Sequence, residues 1–394
     1  MNVIFTCGGT AGHINPAIAV ANIVKERHPD SKILFIGAKG HMEERLVPAA
    51  GYDLEVLPAS GMARGKSWNA IKHNARAIKR NVMGIFHCRK LIKEFGADVV
   101  IGTGGYASFP ALMAAHQLGI PTCVHESNAM PGLTTRLVAD QVDRVLICFP
   151  ESAKRYRHPE KAEVVGMPVR REFIFTKKAD ARKELGLGDK PVIVSAFGSQ
   201  GARAMNKAVA ELFRLEQEAQ FPFHHIHAVG SFGWEWMPDE VVSKGVDLSK
   251  CPDIDMREYI YNMPTVMAAA DVIISRAGSA SCNEIAATGT PCVLIPSPNV
   301  TDNHQYKNAK ALADGGAAVL LEEKDMLSGR LTQEVSALLT DGVARHSMEE
   351  AIASFARTDA NKLIYDELMR LMALSKKQGG EPLPEIPTPD VMPE

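Results

Sequence analysis

Short, almost continuously apolar runs recur along the chain and alternate with longer stretches of helical periodicity. Such runs are typical of strands that are buried on both faces of a parallel sheet. They predict ten strands, at residues 3–6, 32–37, 54–57, 99–102, 121–125, 144–147, 192–197, 224–228, 272–275 and 291–295. Because the intervening segments have helical character, the pattern predicts repeated βα units, and hence parallel sheets with right-handed crossovers.

The pattern begins again halfway along the chain. Residues 188–212 repeat the order of residues 1–24, namely a strand, a glycine loop and then a helix. We therefore predict two Rossmann-like domains, at 1–165 and 166–350, that face each other across a cleft. A last helical pattern covers 360–375, and five prolines within 376–394 predict a disordered tail.

Three glycine loops follow predicted strands and are candidate phosphate sites, because the first turn of a helix presents unpaired N–H groups. The first loop, at 8–13, is expected to lead into a helix at about Pro16. The second, at 198–203, is its equivalent in the other half. The third, at 276–284, ends with Glu284 about one turn into a helix, where a carboxylate can accept hydrogen bonds from a ribose diol. A tight βα turn without a ligand remains the alternative for each loop.

A fourth loop supports a different enzyme class. Residues 102–107 fit G-x-G-x-x-G/A after a strand, and Glu126 ends the next strand, as in dinucleotide-binding proteins. An NAD(P) oxidoreductase is therefore the alternative enzyme. The position of this loop, in the middle of the first half and not at its first βα turn, argues against it.

Composition and charge narrow the choice of compartment and partner. The net charge of −2 argues against a nucleic-acid-binding protein. Seven cysteines without a C-x-x-C pair predict buried free thiols and a reducing cytoplasm. The apolar start meets glycine at position 8, which is unlike a signal peptide, and no apolar run is long enough to span a membrane. Residues 56–93 nevertheless contain nine Lys and Arg residues, no acidic residue and interleaved large apolar side chains.

Seven motifs together carry a specific resemblance. The segments GGTAGHINP, GTGGYASFPA, HESNAMPGLTTR, VGMPVRREF, FGSQGAR, SRAGSASCNEIAATGTPCVLIPSP and DNHQYKNA occur in this order. Over about residues 1–370 the chain resembles the MurG family of peptidoglycan glycosyltransferases. The resemblance implies a GT-B fold whose C-terminal helix, within 351–375, crosses back onto the first domain. It also implies inverting transfer of N-acetylglucosamine from UDP-N-acetylglucosamine to the 4-hydroxyl of the muramoyl sugar of lipid I, giving lipid II. A different GT-B glycosyltransferase that acts on a glycolipid is the alternative within this class.

The same resemblance assigns roles to individual residues. It places the uracil edge near Ile260, the ribose diol at Glu284, and the diphosphate near Ser199 and Arg170. The donor nucleotide and sugar would be lined by the remaining predicted contacts, Thr10, Ala11, Gly12, Asn128, Ser279, Ala280, Ser281, Cys282, Asn283, His304 and Gln305. On the acceptor side it places Gly104, Gly105, Tyr106 and His125. In the family, two glutamines commonly occupy the positions of His304 and Gln305, so the histidine is a departure.

The chemistry requires a base for the acceptor hydroxyl and stabilisation of the departing diphosphate. His13 and Glu126 are the candidate bases, with His13 favoured. Helix N-termini, loop amides and Arg170 stabilise a leaving diphosphate without a metal. We therefore expect neither metal nor cofactor, and we assign Asp253-Ile254-Asp255 to a polar loop. The expected location is the cytoplasmic face of the cell membrane, where the basic stretch 56–93 contacts anionic lipid. Cell-wall synthesis proteins are possible partners.

Overall fold

A computed structural model describes residues 1–59, 61, 67–198, 200–220, 223–300 and 303–379. Within these ranges the chain forms two parallel sheets, one of seven strands and one of six. Each sheet is covered by helices on both faces. The predicted α/β class and the two Rossmann-like halves are confirmed.

The first sheet has the strand order β3-β2-β1-β4-β5-β6-β7, in which every pair is parallel. Its strands are β1 (Asn2–Thr6), β2 (Lys32–Ala38), β3 (Asp53–Leu57), β4 (Val99–Gly102), β5 (Thr122–Glu126), β6 (Arg144–Ile147) and β7 (Ala162–Val164). The accompanying helices are α1 (Ala11–Arg27), α2 (Glu43–Ala49), α3 (Trp68–Phe95), α4 (Ser108–Gln117) and α5 (Leu133–Val138). The order changes direction beside β1 and β4, so the loops after these two strands flank the point where open α/β sheets bind ligands.

The second sheet has the order β10-β9-β8-β11-β12-β13 and is also parallel throughout. Its strands are β8 (Val192–Ala196), β9 (His224–Ala228), β10 (Ile254–Arg257), β11 (Val272–Ser275), β12 (Cys292–Leu294) and β13 (Val319–Leu320). Its helices are α6 (Arg171–Phe175), α7 (Lys178–Glu184), α8 (Arg203–Glu218), α9 (Met237–Ser243), α10 (Met263–Ala269), α11 (Ser279–Thr288), α12 (His304–Asp314), α13 (Arg330–Thr340) and α14 (Gly342–Ser354).

All ten predicted strands are present, and three further strands were not predicted. β7, β10 and β13 lie at or next to sheet edges, where a strand is only partly buried and loses its apolar signature. The assignment of Asp253-Ile254-Asp255 to a loop is wrong, because Ile254–Arg257 pairs with β9. Asp253 contacts Lys190 and His224, and Asp255 contacts Arg257, so both carboxylates have cationic or imidazole partners.

The final helix returns to the first domain. In α15 (Ala360–Gly379), the side chains of Ile364, Leu368 and Leu371 join the core beneath β1. The Tyr365 hydroxyl lies 2.7 Å from Nε2 of His28, the residue that follows α1. The helix extends past its predicted end at 375, and residues 380–394 of the predicted tail lie outside the described residues. The domain boundaries given above remain predictions.

Two further predictions concern the state of the cysteines and the length of the apolar helices. All seven cysteines are free thiols; six are buried and Cys148 is half-buried. The predicted burial is therefore confirmed for six of the seven cysteines. Among the helices that the structure describes, none combines the length and apolarity needed to cross a bilayer.

Candidate active site

The two domains touch directly at the carboxyl ends of their sheets. Ser279, at the start of α11, donates a hydrogen bond to the carbonyl of Ser127, which follows β5. Asn308 on α12 accepts a hydrogen bond from the Ala129 amide at 3.3 Å, and its side-chain nitrogen lies 3.5 Å from the side-chain oxygen of Asn128. The predicted donor residues Ser279 and Asn128 therefore meet at the interface between the domains.

His13 lies in the first turn of α1, because this helix begins at Ala11 and not at about Pro16 as expected. Its Nδ1 is 2.9 Å from the carbonyl oxygen of Thr103, and the Thr103 hydroxyl donates to the His13 carbonyl at 2.6 Å. Since a carbonyl only accepts, Nδ1 carries the proton and Nε2 keeps its lone pair. The imidazole is half-buried, and this burial lowers its pKa, an effect partly opposed by Glu126 and the Thr103 carbonyl. It is therefore neutral at pH 7–8, with a proton-accepting nitrogen.

Glu126, the other candidate base, is buried and already accepts three hydrogen bonds. Its Oε1 receives the backbone and side-chain N–H groups of Asn128, at 2.9 and 3.0 Å, and its Oε2 receives the Gly132 amide at 2.8 Å. These contacts close the turn formed by residues 126–132. The geometry favours a structural carboxylate that holds Asn128 in place over a base exchanging protons with substrate.

His125 is fully buried beneath the cleft. The predicted contact with the acceptor would require an accessible side chain. Its Nε2 donates to the carbonyl of Gly166 at 2.8 Å, and Cys148 Sγ lies 3.6 Å from the same nitrogen. Gly166 has a φ of +79°, and a Cβ there would meet the Arg357 side chain at 2.3 Å. The imidazole thus links β5 to the segment that joins the domains. A direct contact with the acceptor remains a prediction that the geometry does not favour.

The predicted acceptor loop packs tightly against the first glycine loop. A Cβ on Gly104 would lie 2.7 Å from Nδ1 of His13, and one on Gly105 would lie 2.3 Å from the carbonyl oxygen of Gly8. Both glycines also have positive φ, at +101° and +81°. Tyr106 is half-exposed beside them, and its hydroxyl is 2.5 Å from Nε2 of His41. Glycine at 104 and 105 is what allows His13 and both loops to lie together.

On the donor side, Glu284 is half-buried on α11, and burial raises its pKa to about 7. The charge of Arg170, an exposed residue just before α6, opposes this rise in the pKa of Glu284. Asn283 is half-buried and donates to the Ser279 carbonyl at 2.9 Å. The side chain of Cys282 is different, since it is buried in the core of the second domain and its pKa is raised to about 12 by that burial. Only its backbone is available to a nucleotide.

The remaining predicted donor residues occupy loops and helix ends around the same edge. Ile260 is buried in the domain core, so its backbone and not its side chain can meet a base. Gln305, in the first turn of α12, accepts the Ser297 amide at 2.8 Å. His304 precedes it and lies close enough to His13 for its charge to lower the pKa of His13. Thr10 is exposed, Gly12, Ala280 and Ser281 are half-buried, and the Ala11 side chain and all of Ser199 lie outside the described residues.

Comparisons with known proteins agree with this geometry. Residues 3–147 match the glycosyltransferase family 28 N-terminal domain, and residues 192–364 match the family 28 C-terminal domain. A UDP-N-acetylglucosamine–N-acetylmuramyl-(pentapeptide) pyrophosphoryl-undecaprenol N-acetylglucosamine transferase from Acetivibrio thermocellus is 39% identical, covering 94% of this chain and 98% of its own. The protein of the same name from Caldanaerobacter subterraneus subsp. tengcongensis is 37% identical, covering 93% and 98%.

The chain belongs to glycosyltransferase family 28. The crystal structure of MurG from Acinetobacter baumannii has a TM-score of 0.70 and 26% identity to it, covering 94% of this chain and 99% of that one. A UDP-GlcNAc 2-epimerase from Neisseria meningitidis has a TM-score of 0.63 at 16% identity, covering 94% and 100%, and shares the fold alone. The resemblance to the MurG family and the GT-B fold are confirmed.

The structure adds three residues in or beside the candidate site that sequence reasoning missed. Thr103, which fixes the tautomer of His13, and Asn308, which joins the domains, were not singled out. Thr103 lies inside a glycine motif whose glycines were the stronger signal. Asn308 lies four residues beyond His304 on the same helix face, a spacing that places it beside the cleft. Glu43 was missed entirely, since an acidic residue in a polar segment is usually solvated.

Proposed function

We infer that this chain is an inverting glycosyltransferase that moves N-acetylglucosamine from UDP-N-acetylglucosamine to the 4-hydroxyl of lipid I, giving lipid II. The family membership and the full-length relatives support the reaction class and both substrates. The observation that carries the site is the position of His13. Its free Nε2 belongs to the acceptor domain, and His304 of the opposite domain lies within electrostatic range of it.

In the proposed reaction the acceptor oxygen attacks the anomeric carbon of the donor sugar. The proton of the 4-hydroxyl moves to Nε2 of His13 as the new C–O bond forms. The bond from the anomeric carbon to the diphosphate breaks, and its electron pair leaves with UDP. A single displacement of this kind converts the α-linked donor into a β-linked product.

Stabilisation of the departing diphosphate is assigned to amides and to one cation. The first turns of α1 and α11 have N–H groups that the helices themselves do not use, and these lie on the two sides of the cleft. Arg170, whose charge also acts on Glu284, is the proposed cation. The ribose diol is expected to donate to the Glu284 carboxylate.

The geometry of the 102–107 loop and of Glu126 argues against the oxidoreductase alternative. Gly105 packs on Gly8, and a Cβ there would lie 2.3 Å from the Gly8 carbonyl oxygen, so this loop is occupied by protein. Glu126, which would hold the ribose in that alternative, has both carboxylate oxygens bound by N–H groups of its own turn. Both features of the dinucleotide motif are thus explained by packing.

UDP release tests the proposed activity directly. The protein should release UDP from UDP-N-acetylglucosamine at a rate that depends on a lipid I analogue, and UDP should compete for the site whereas NAD should not. Acceptor-independent release of UDP, or competition by NAD, would contradict the assignment.

We also propose that α3 contacts an anionic membrane surface, at the cytoplasmic face. Its apolar side chains Ile71, Ile78, Val82 and Phe86 recur at helical spacing and are 46–66% exposed, with Trp68 79% exposed at the start of the helix. The opposite face, which includes Ala77, Cys88 and Ile92, is buried in the domain core. Basic residues flank the exposed apolar stripe, a combination typical of interfacial helices.

Vesicle sedimentation tests this surface. The protein should bind anionic vesicles more tightly than neutral ones, and the variant with Lys72, Lys79 and Arg80 changed to Glu should lose that preference. A charge-matched control changes Lys244, Lys250 and Lys324 to Glu in the second domain and should bind like the parent. Equal binding of the parent to neutral and anionic vesicles would contradict the electrostatic part of the proposal. The contacts with cell-wall synthesis proteins stay predictions.

A further inference from the structure

Glu43, the first residue of α2, is completely buried beneath the first glycine loop. Its Oε1 accepts the Gly9 amide at 2.8 Å and the Ala38 amide at 3.3 Å. Its Oε2 is also buried and has no hydrogen-bond partner among the described residues. Gly37 makes room for it, because a Cβ at that position of β2 would lie 2.9 Å from the Glu43 Cβ.

A fully buried glutamate without a cationic partner is unusual. Glutamate is rarely buried unless it is paired, because removing a carboxylate from water is unfavourable. The described part of the chain gives Glu43 no ion pair, and its hydrogen bonds come from backbone amides alone. An apolar residue would fill the same space without this cost, so packing does not account for the choice of a carboxylate.

Glu43 binds the amide of Gly9, which belongs to the first glycine loop. Gly9 has a φ of +86° and stands one residue before Thr10, whose carbonyl accepts the His13 amide at 3.0 Å. The Gly9 amide itself donates to the buried Glu43 carboxylate, two residues before α1 begins at Ala11. Glu43 thus fixes the direction in which the loop enters α1, and with it the place of His13.

The same segment also contacts the acceptor loop. His41 Nε2 lies 2.5 Å from the Tyr106 hydroxyl, and a Cβ on Gly9 would lie 3.5 Å from the Tyr106 ring. Residues 41–43 therefore contact both glycine loops of the first domain at once. We propose that Glu43 is a positioning residue for glycosyl transfer, which holds the first glycine loop so that His13 faces the acceptor hydroxyl. The proposal rests on the function inferred above.

Two substitutions separate the position of the oxygen atom from its charge. Glu43→Gln keeps an oxygen at the same distance from the Gly9 amide but removes the charge. Glu43→Asp keeps the charge but withdraws the oxygens by one methylene, so that the bond to Gly9 is lost. Glu44 is the matched control, since it is the next residue, is exposed, and accepts the Gly40 amide at 2.8 Å.

The experiment measures kcat at saturating donor and acceptor, together with the Kd for UDP, well below the melting temperature of each variant. Glu43→Asp should lower kcat at least tenfold, Glu43→Gln should stay within threefold of the parent, and both should keep the UDP Kd within twofold. Glu44→Asp and Glu44→Gln should match the parent in both quantities.

Other outcomes have distinct meanings. A Glu43→Asp variant with parental kcat would overturn the proposal, as would a Glu43→Gln variant that is no better than Glu43→Asp. Failure of the parent itself to transfer the sugar would instead contradict the proposed function. Glu43→Gln conserves the side-chain volume, so it stays available as a test if Glu43→Asp is unstable. A tenfold loss of kcat in Glu43→Gln would overturn a purely positional role.

Discussion

Glu284 carries a prediction that links donor binding to pH. Burial raises the pKa of this carboxyl from 4.5 to about 7 in the folded protein. Each pKa unit corresponds to about 1.36 kcal/mol, so ionising Glu284 at pH 8 costs the folded protein roughly 3 kcal/mol relative to an unfolded chain. Because the folded-state pKa is raised, the cost is absent below the unfolded pKa and grows as pH rises from about 4.5 to 7.

Removing the charge should therefore stabilise the empty protein and weaken its donor affinity. The free energy of unfolding of Glu284→Gln should exceed that of the parent at pH 8 by up to about 3 kcal/mol, and should match it near pH 4.5. In Glu284→Ala, loss of the hydrogen bonds from a ribose diol to a charged group should weaken UDP binding by about 1.5–3 kcal/mol, or roughly 10–150-fold.

The pH dependence of the affinity provides the assay. Since the diol donates to the carboxylate, UDP-N-acetylglucosamine should bind the parent more tightly as pH rises through about 7, whereas Glu284→Gln should lack this step. Calorimetric titrations of both proteins between pH 5.5 and 8.5 give the difference, and the glutamine variant cancels any titration of the ligand itself. Unchanged UDP affinity in a folded Glu284→Ala protein, or parallel pH curves for parent and Glu284→Gln, would refute the reasoning.

Two further predictions concern the contacts that bring the site together. Gly105→Ala should abolish transfer and lower the melting temperature, because its Cβ would lie 2.3 Å from the Gly8 carbonyl oxygen. The control is Gly188→Ala, where the added Cβ meets open space. A parental melting temperature for Gly105→Ala would count against this packing. Asn308→Ala should remove the contacts with the Ala129 amide and Asn128 and so loosen the interface between the domains. Its kcat/KM should fall roughly tenfold. An unchanged kcat/KM with a parental melting temperature would show that this contact is not needed.

The fold was largely predictable because its central strands are buried on both faces. Strands such as Val99–Gly102 and Val272–Ser275 are buried at every residue and almost continuously apolar, so they show no polar alternation. The edge strand Ile254–Arg257 is half-exposed at every residue, so its sequence resembles a polar loop. The start of α1 was misplaced because Pro16 suggested a first helical residue, whereas this proline lies inside the helix.

The candidate site was predictable in its parts but not in its contacts. Glycine loops and a glutamate in the first turns of a helix are recognisable local patterns. These patterns singled out Gly105 and Glu284 as candidate site residues. Local sequence does not say that Glu126 is held by amides of its own turn, or that His125 turns inwards to Gly166. Such facts depend on the packing of segments that are far apart in the chain, as Glu43 beneath Gly9 also illustrates.

The assignment of His13 as the general base is tested by the His13→Ala variant. Its kcat is measured at saturating donor and acceptor between pH 5.5 and 9. We expect kcat of His13→Ala to fall by about 10²–10⁴-fold, with its affinity for UDP nearly unchanged. The acid limb of the parental pH profile, which we assign to the lowered pKa of the His13 imidazole, should disappear in this variant. Glu126→Gln serves as the comparison, because it places an NH₂ group against amides that require an acceptor and should lose stability and donor contacts together. A His13→Ala enzyme with parental kcat and an unmoved acid limb, beside a folded Glu126→Gln enzyme that has lost its turnover, would contradict the account.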